Sequence, residues 1–128
     1  MYVALAVIDR AYRGAVEAQY FDALYGVREF HRLLGRIDVA LRGMAVTYAV
    51  PAPAYKPVLR LGSTELDTMP DYRRSVADLV ADGISVFVDA PDLVSLGLGD
   101  AELVPGVRRA DTSALAARWP EYDGVWFL

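Results

Sequence analysis

The apolar run from Tyr2 to Ile8 is unbroken, rich in β-branched residues, and stops at Asp9-Arg10. A continuous run of that length, without alternation, predicts a strand covered on both faces, as in a parallel sheet. Val16, Tyr20, Ala23, Val27, Phe30 and Leu34 then recur at spacings of three and four, which predicts one long helix over 15–34 with Gly35 as its stop. Phe21, Leu24 and Tyr25 give this helix a second, smaller apolar set, suited to a second neighbour in the domain or to a subunit contact. Ile37, Val39 and Leu41 alternate as a short strand ending at Arg42-Gly43, and Met44 to Val50 can begin a helix. Pro51, Pro53 and Pro57 impose an extended stretch. Val58–Leu61 reads as a short edge strand followed by a turn at Gly62-Ser63-Thr64.

Pro70-Asp71 opens a second helix with Tyr72, Val76, Leu79 and Val80 on its core face and Gly83 as its stop. Ile84–Val88 is the strongest strand signal, ended by Asp89-Ala90-Pro91-Asp92, and Leu93–Leu96 should form a short helical turn. Val107 begins a minor strand, Asp111 or Thr112 can cap a helix through Ala114–Trp119, and Gly124–Leu128 reads as a last strand. Strands alternating with helices over 128 residues predict a single α/β domain, a three-layer sandwich around a mainly parallel five-stranded sheet.

Composition narrows the chemistry. With 55% hydrophobic and 23% charged residues the chain can bury a core. Seventeen acidic against thirteen basic residues, net charge −4, argue against a nucleic-acid partner or an anionic membrane surface. The opening apolar run is too short to span a bilayer and lacks a basic region before it, so the expected location is the cytoplasm. Cysteine is absent, which removes disulfides, thiolate catalysis and Cys-ligated zinc. His31 is the only histidine, so a His-rich metal site is removed as well.

From Asp71 onward the order of elements resembles the DsrE/DsrF-like family, small α/β proteins of bacterial sulfur relay. The resemblance rests on the helix ending Leu79-Val80-Ala81-Asp82-Gly83, the strand Ile84–Val88 and the loop to Leu93 and Gly97-Leu98. Glu102-Leu103-Val104-Pro105-Gly106-Val107, the helix Ser113–Trp119 and the strand Asp123–Phe127 complete it. The first half fits more loosely through Tyr2–Ile8, Ala15–Leu34 and Ile37–Leu41, and Pro51–Met69 is unmatched. The resemblance implies a DsrE/DsrF-like fold with flavodoxin-like topology and a homo-oligomer, a trimer or hexamer, with room for a related subunit. It also puts Asp89 where sulfur-carrying members of the family keep a cysteine. A carboxylate cannot take up sulfane sulfur, because it has no polarizable sulfur to attack another sulfur. The expectation is a non-catalytic accessory protein of a sulfur relay or related complex, with no cofactor and no metal.

Ligands of open parallel sheets bind beyond the carboxyl ends of the strands. The candidates there are Asp9, Arg10, Arg42, Gly43, Asp89 and Asp92, and a carboxylate–arginine cluster suits a small polar ligand. The alternative function is therefore a ligand-binding protein, or an enzyme using Asp89 with an arginine. Asp89 has a plainer role open to it, capping the turn that follows. Asp89 and Asp92, three positions apart, suggest a magnesium site only weakly, since two turn aspartates are more often solvated or capping, and Gly97-Leu98-Gly99 lacks the rest of a dinucleotide fingerprint. His31 reads as a surface or interface residue, since no Gly-x-Ser-x-Gly elbow exists for a hydrolase. Tyr48 and Tyr55 suit either an aromatic lip or local packing of a stiff connector. Trp119, Trp126 and Phe127 suit core packing, with a subunit contact as the alternative.

Overall fold

In a computed structural model, residues 1–11, 22–51, 58–68 and 71–128 are described. The elements are β1 (Tyr2–Ile8), α1 (Ala23–Leu34), β2 (Gly35–Leu41), a 3-10 helix (Gly43–Ala49), β3 (Leu59–Leu61) and β4 (Thr64–Leu66). They continue with α2 (Tyr72–Ala81), β5 (Val86–Asp89), α3 (Ala90–Ser95), β6 (Arg108–Ala110), α4 (Thr112–Ala117), a 3-10 turn (Trp119–Glu121) and β7 (Gly124–Phe127).

Five strands form one sheet in the order β6-β5-β2-β1-β7, and all four ladders are parallel. Ala4, Ala6 and Ile8 point to one face with Ile37, Val39, Leu41, Val86 and Val88. There they meet Leu24 and Val27 of α1, Val76 and Leu79 of α2, Leu93 of α3 and the 3-10 helix. Leu5, Val7, Ala40 and Phe87 point the other way, to Leu115 of α4 and the Trp119–Tyr122 stretch. Both faces of the sheet are therefore covered, which is why β1 carries no polar alternation. Among the described residues, most of the helix lies on the first face.

The fold class is the expected one, but the strand order is not that of flavodoxin. Counted along the chain, the five sheet strands lie 4-3-2-1-5, against 2-1-3-4-5 in the flavodoxin order. Each step from β1 to β6 moves to the adjacent position on one side, and only β7 returns to the far side of β1. The order consequently reverses between β1 and β7.

Local signals set most boundaries. Asp22 N-caps α1 by accepting from the Tyr25 amide at 3.0 Å, so the described helix starts later than periodicity predicts. Val16, Tyr20 and Phe21 lie outside the described residues. Gly35 ends the helix at φ +106°, a conformation that favours glycine, and β2 starts there. Asp71 caps α2 and Asp111 caps α4, which ends at Ala117 so that Trp119 begins the 3-10 turn. Val58–Leu61 does not supply an edge strand of the main sheet: β3 pairs antiparallel with β4 as a separate hairpin around Gly62-Ser63. The ladder of β5 begins at Val86, two residues after the apolar run does, although the Ser85 carbonyl already accepts from the Val39 amide at 2.9 Å.

Candidate functional site

The loops after β1, β2 and β5 meet at the carboxyl end of the sheet. Ile8 pairs with Leu41 and Leu41 with Val88, so one step further on Arg42 falls between Asp9 and Asp89. The Arg42 amide still donates to the Ile8 carbonyl at 2.9 Å, which carries the ladder past the last paired residues. Arg42 Nη2 donates to Asp9 Oδ2 at 3.0 Å, and the Gly43 amide donates to Asp92 Oδ2 at 2.7 Å. The Asp92 amide in turn donates to Asp89 Oδ2 at 3.1 Å. Five of the six candidates thus form one connected run. The sixth, Arg10, is exposed and makes no ion pair with a described residue.

The run divides into a buried clamp and an open pair. Asp89 is 1% exposed and is the N-cap of α3, with Pro91 in the first turn. Its carboxylate satisfies a helix-end amide that would otherwise be orphaned. Asp92 reaches from α3 to the start of the 3-10 helix and holds the two elements together. Gly43 is required at this junction because its φ is +55°. A Cβ there would also stand 2.9 Å from the Asp9 carbonyl oxygen. Asp9 and Arg42 face solvent more, with side chains 42% and 25% exposed. Among the described residues Asp9 accepts from one guanidinium nitrogen, Arg42 Nη2, and the other N–H groups of that fork make no bond to Asp9.

Phe127 completes the open part. It pairs with Val7 across the β1–β7 ladder, and its ring centre is 5.9 Å from Arg42 Cζ. It is 60% exposed, and Trp119 meets it edge-on at 5.8 Å between ring centres. Trp126 points to the opposite face, edge-on to Phe30 at 5.4 Å.

A second cluster escaped the sequence reading. Asp38 lies in the middle of β2, 1% exposed, on the face that otherwise carries Leu5, Val7, Ala40 and Phe87. Arg36 grips it through two nitrogens, at 2.9 and 3.3 Å, and the Tyr122 hydroxyl donates to Asp38 Oδ2 at 2.7 Å. Burial and then the hydrogen bond to Asp38 push the Tyr122 phenol up to about 12. The hydrogen bond to Asp38, followed by its charge, raises Arg36 above its ordinary value. The signal available in the sequence was an aspartate between Ile37 and Val39, which alternation alone assigns to the solvent side.

The other singled-out residues resolve more simply. Tyr48 is 3% exposed and stacks on Tyr72 at 4.3 Å, so it packs inward, while Tyr55 lies outside the described residues. His31 is half-buried, and its Nδ1 has no hydrogen-bond partner among the described residues. Among those residues no group of three or more His, Asp or Glu side chains could hold a metal, and no helix is long and apolar enough to cross a membrane.

No family model matches the sequence, and no curated protein does. Solved structures do. The ychN protein from E. coli superposes with a TM-score of 0.73 at 16% identity, covering 100% of both chains. MTH1491 from Methanobacterium thermoautotrophicum, described as a protein of unknown function, superposes with a TM-score of 0.65 at 18% identity, covering 98% of this chain and 99% of that one. At these identities the likeness shows the fold, which is DsrE-like.

Proposed function

We propose that this chain is a non-catalytic, self-associating DsrE/DsrF-like protein, an accessory subunit of a sulfur-relay or related complex that takes up no sulfur itself. The observation that carries the reading is the state of Asp89. The family resemblance sets this residue at the sulfur-carrying position. A carboxylate occupies it, 1% exposed and committed to the first turn of α3. A group so placed organises the loop; it neither attacks sulfane sulfur nor meets a substrate. Tyr25, Leu33 and Val94 leave large apolar side chains between 53% and 77% exposed, and subunit contacts would cover surfaces of this kind.

The partners in this reading are further copies of the chain, as a trimer or hexamer, and a related cysteine-bearing subunit in the cytoplasm. Native mass spectrometry tests it directly. The expected masses are three or six times the 14.0 kDa chain. A species that stays monomeric at micromolar concentration sinks the proposal.

A further inference from the structure

The open pair and the exposed aromatic lie where an open parallel sheet is best suited to hold a ligand. The strand order reverses between β1 and β7, and crevices beyond the carboxyl ends of strands at such a reversal are the usual ligand sites of this architecture. Three side chains reach that point on one face. Asp9 continues the alternation of Leu5 and Val7, Arg42 that of Ala40, and Phe127 pairs with Val7. Stability does not account for their arrangement. An ion pair with sides 25% and 42% exposed contributes little, and a phenylalanine left 60% exposed forgoes most of its burial.

We infer that Asp9, Arg42, Phe127 and Trp119 form a binding site for a small planar ring that carries an anionic oxygen. Each group has a role set by its chemistry. The exposed Phe127 ring takes the ligand ring on the side where Arg42 Cζ stands 5.9 Å from its centre, with Trp119 meeting Phe127 edge-on at 5.8 Å. Arg42 uses Nη2 on Asp9 and presents its remaining N–H groups to the anionic oxygen; its planar fork suits a carboxylate or phosphate. Asp9 orients the guanidinium and can accept from an amino or hydroxyl group on the ring. Asp89 and Asp92 stay outside the site, because their carboxylates hold backbone amides. This inference is independent of the missing thiol, and it requires that Phe127 stay uncovered in any assembly.

The test is titration of the full chain, followed by the indole N–H signals of its two tryptophans in proton–nitrogen correlation spectra. The probes are adenosine 5′-monophosphate, adenosine, inorganic phosphate and 4-hydroxybenzoate. The Trp119 signal should shift saturably with adenosine monophosphate or hydroxybenzoate, and Trp126, on the opposite face, should stay still. Which of the two binds tells a phosphate-bearing from a carboxylate-bearing ligand. Adenosine and phosphate alone should bind at least tenfold more weakly than the better combined probe. Arg42→Gln and Phe127→Ala should each weaken binding at least tenfold while keeping the wild-type circular dichroism spectrum. The inference fails if no probe moves Trp119 at millimolar concentration. It fails if phosphate alone binds as well as the ring-bearing anions, or if neither substitution weakens binding. It also fails if Phe127→Ala breaks an assembly that is blind to every probe, since Phe127 would then be a subunit contact.

Discussion

Replacing Tyr122 by phenylalanine deletes a single hydroxyl and tests the buried cluster on the second face of the sheet. That hydroxyl donates to Asp38 Oδ2 at 2.7 Å, and the acceptor is 1% exposed. A hydrogen bond to a charged group contributes about 1.5–3 kcal/mol. The lower end applies here, because Tyr122 is only half-buried and Asp38 keeps both contacts to Arg36. The expected loss is about 1.5 kcal/mol in urea denaturation at pH 8, with an unchanged m-value, and about 5–7 °C in Tm for a domain of this size. The pH dependence is a second, independent readout. The phenol titrates at about 12 in the folded protein against 10.0 without the fold, so the folded state keeps its proton longer. The contribution is complete below pH 10 and disappears as pH rises through 12. The gap corresponds to roughly 2.7 kcal/mol for a fully buried group, and solvent screening of the half-exposed ring reduces it to about 1.5 kcal/mol. Wild type and Tyr122→Phe should therefore converge in stability between pH 10 and 12. A difference below about 0.5 kcal/mol at pH 8 would refute the role assigned to this hydrogen bond, and one that persists unchanged to pH 12 would refute the burial, with the bond to Asp38, that holds the phenol protonated.

The capping role of Asp89 predicts that Asp89→Ala lowers stability by about 1 kcal/mol in thermal or urea unfolding, whereas Asp89→Ser, which can still accept from the Asp92 amide, should lose less. Equal losses would mean that the cap is not what the carboxylate supplies. Gly43→Ala combines a left-handed backbone with a collision against the Asp9 carbonyl and should cost at least about 2 kcal/mol. The control is Gly62→Ala, at φ +62° with nothing within 4 Å of the new Cβ, which should cost only about 1 kcal/mol. If the two variants melt together, the close approach at the strand-end junction is wrong.

Much of the chain was legible one residue at a time. Tyr2–Ile8 appears as β1 with the boundaries its apolar run predicts, because a strand covered on both faces needs no information beyond its own composition. Gly35 stops α1 and Asp111 caps α4, since helix ends are decided by the few residues that satisfy orphaned amides and carbonyls or tolerate a left-handed turn. That Asp9, Arg42, Gly43, Asp89 and Asp92 stand at the strand ends was legible too, because this placement follows from the class of fold rather than from any contact.

Tertiary structure decided what those residues do. Asp9 finds Arg42 thirty-three positions away and Gly43 finds Asp92 forty-nine positions away only because β1, β2 and β5 lie side by side. Phe127 joins Arg42 because β7 crosses to the far side of β1, a choice of strand order that no local pattern encodes. Asp38 shows the same limit from the other direction. Alternation marked it as solvent-facing, and the late-arriving Tyr122 closed over it. Propensity and capping act within a turn or two of chain, so the sequence alone determined the elements and their ends. Burial of a polar group, and the partner it meets, depend on which strands become neighbours, and that is settled by packing the whole sheet.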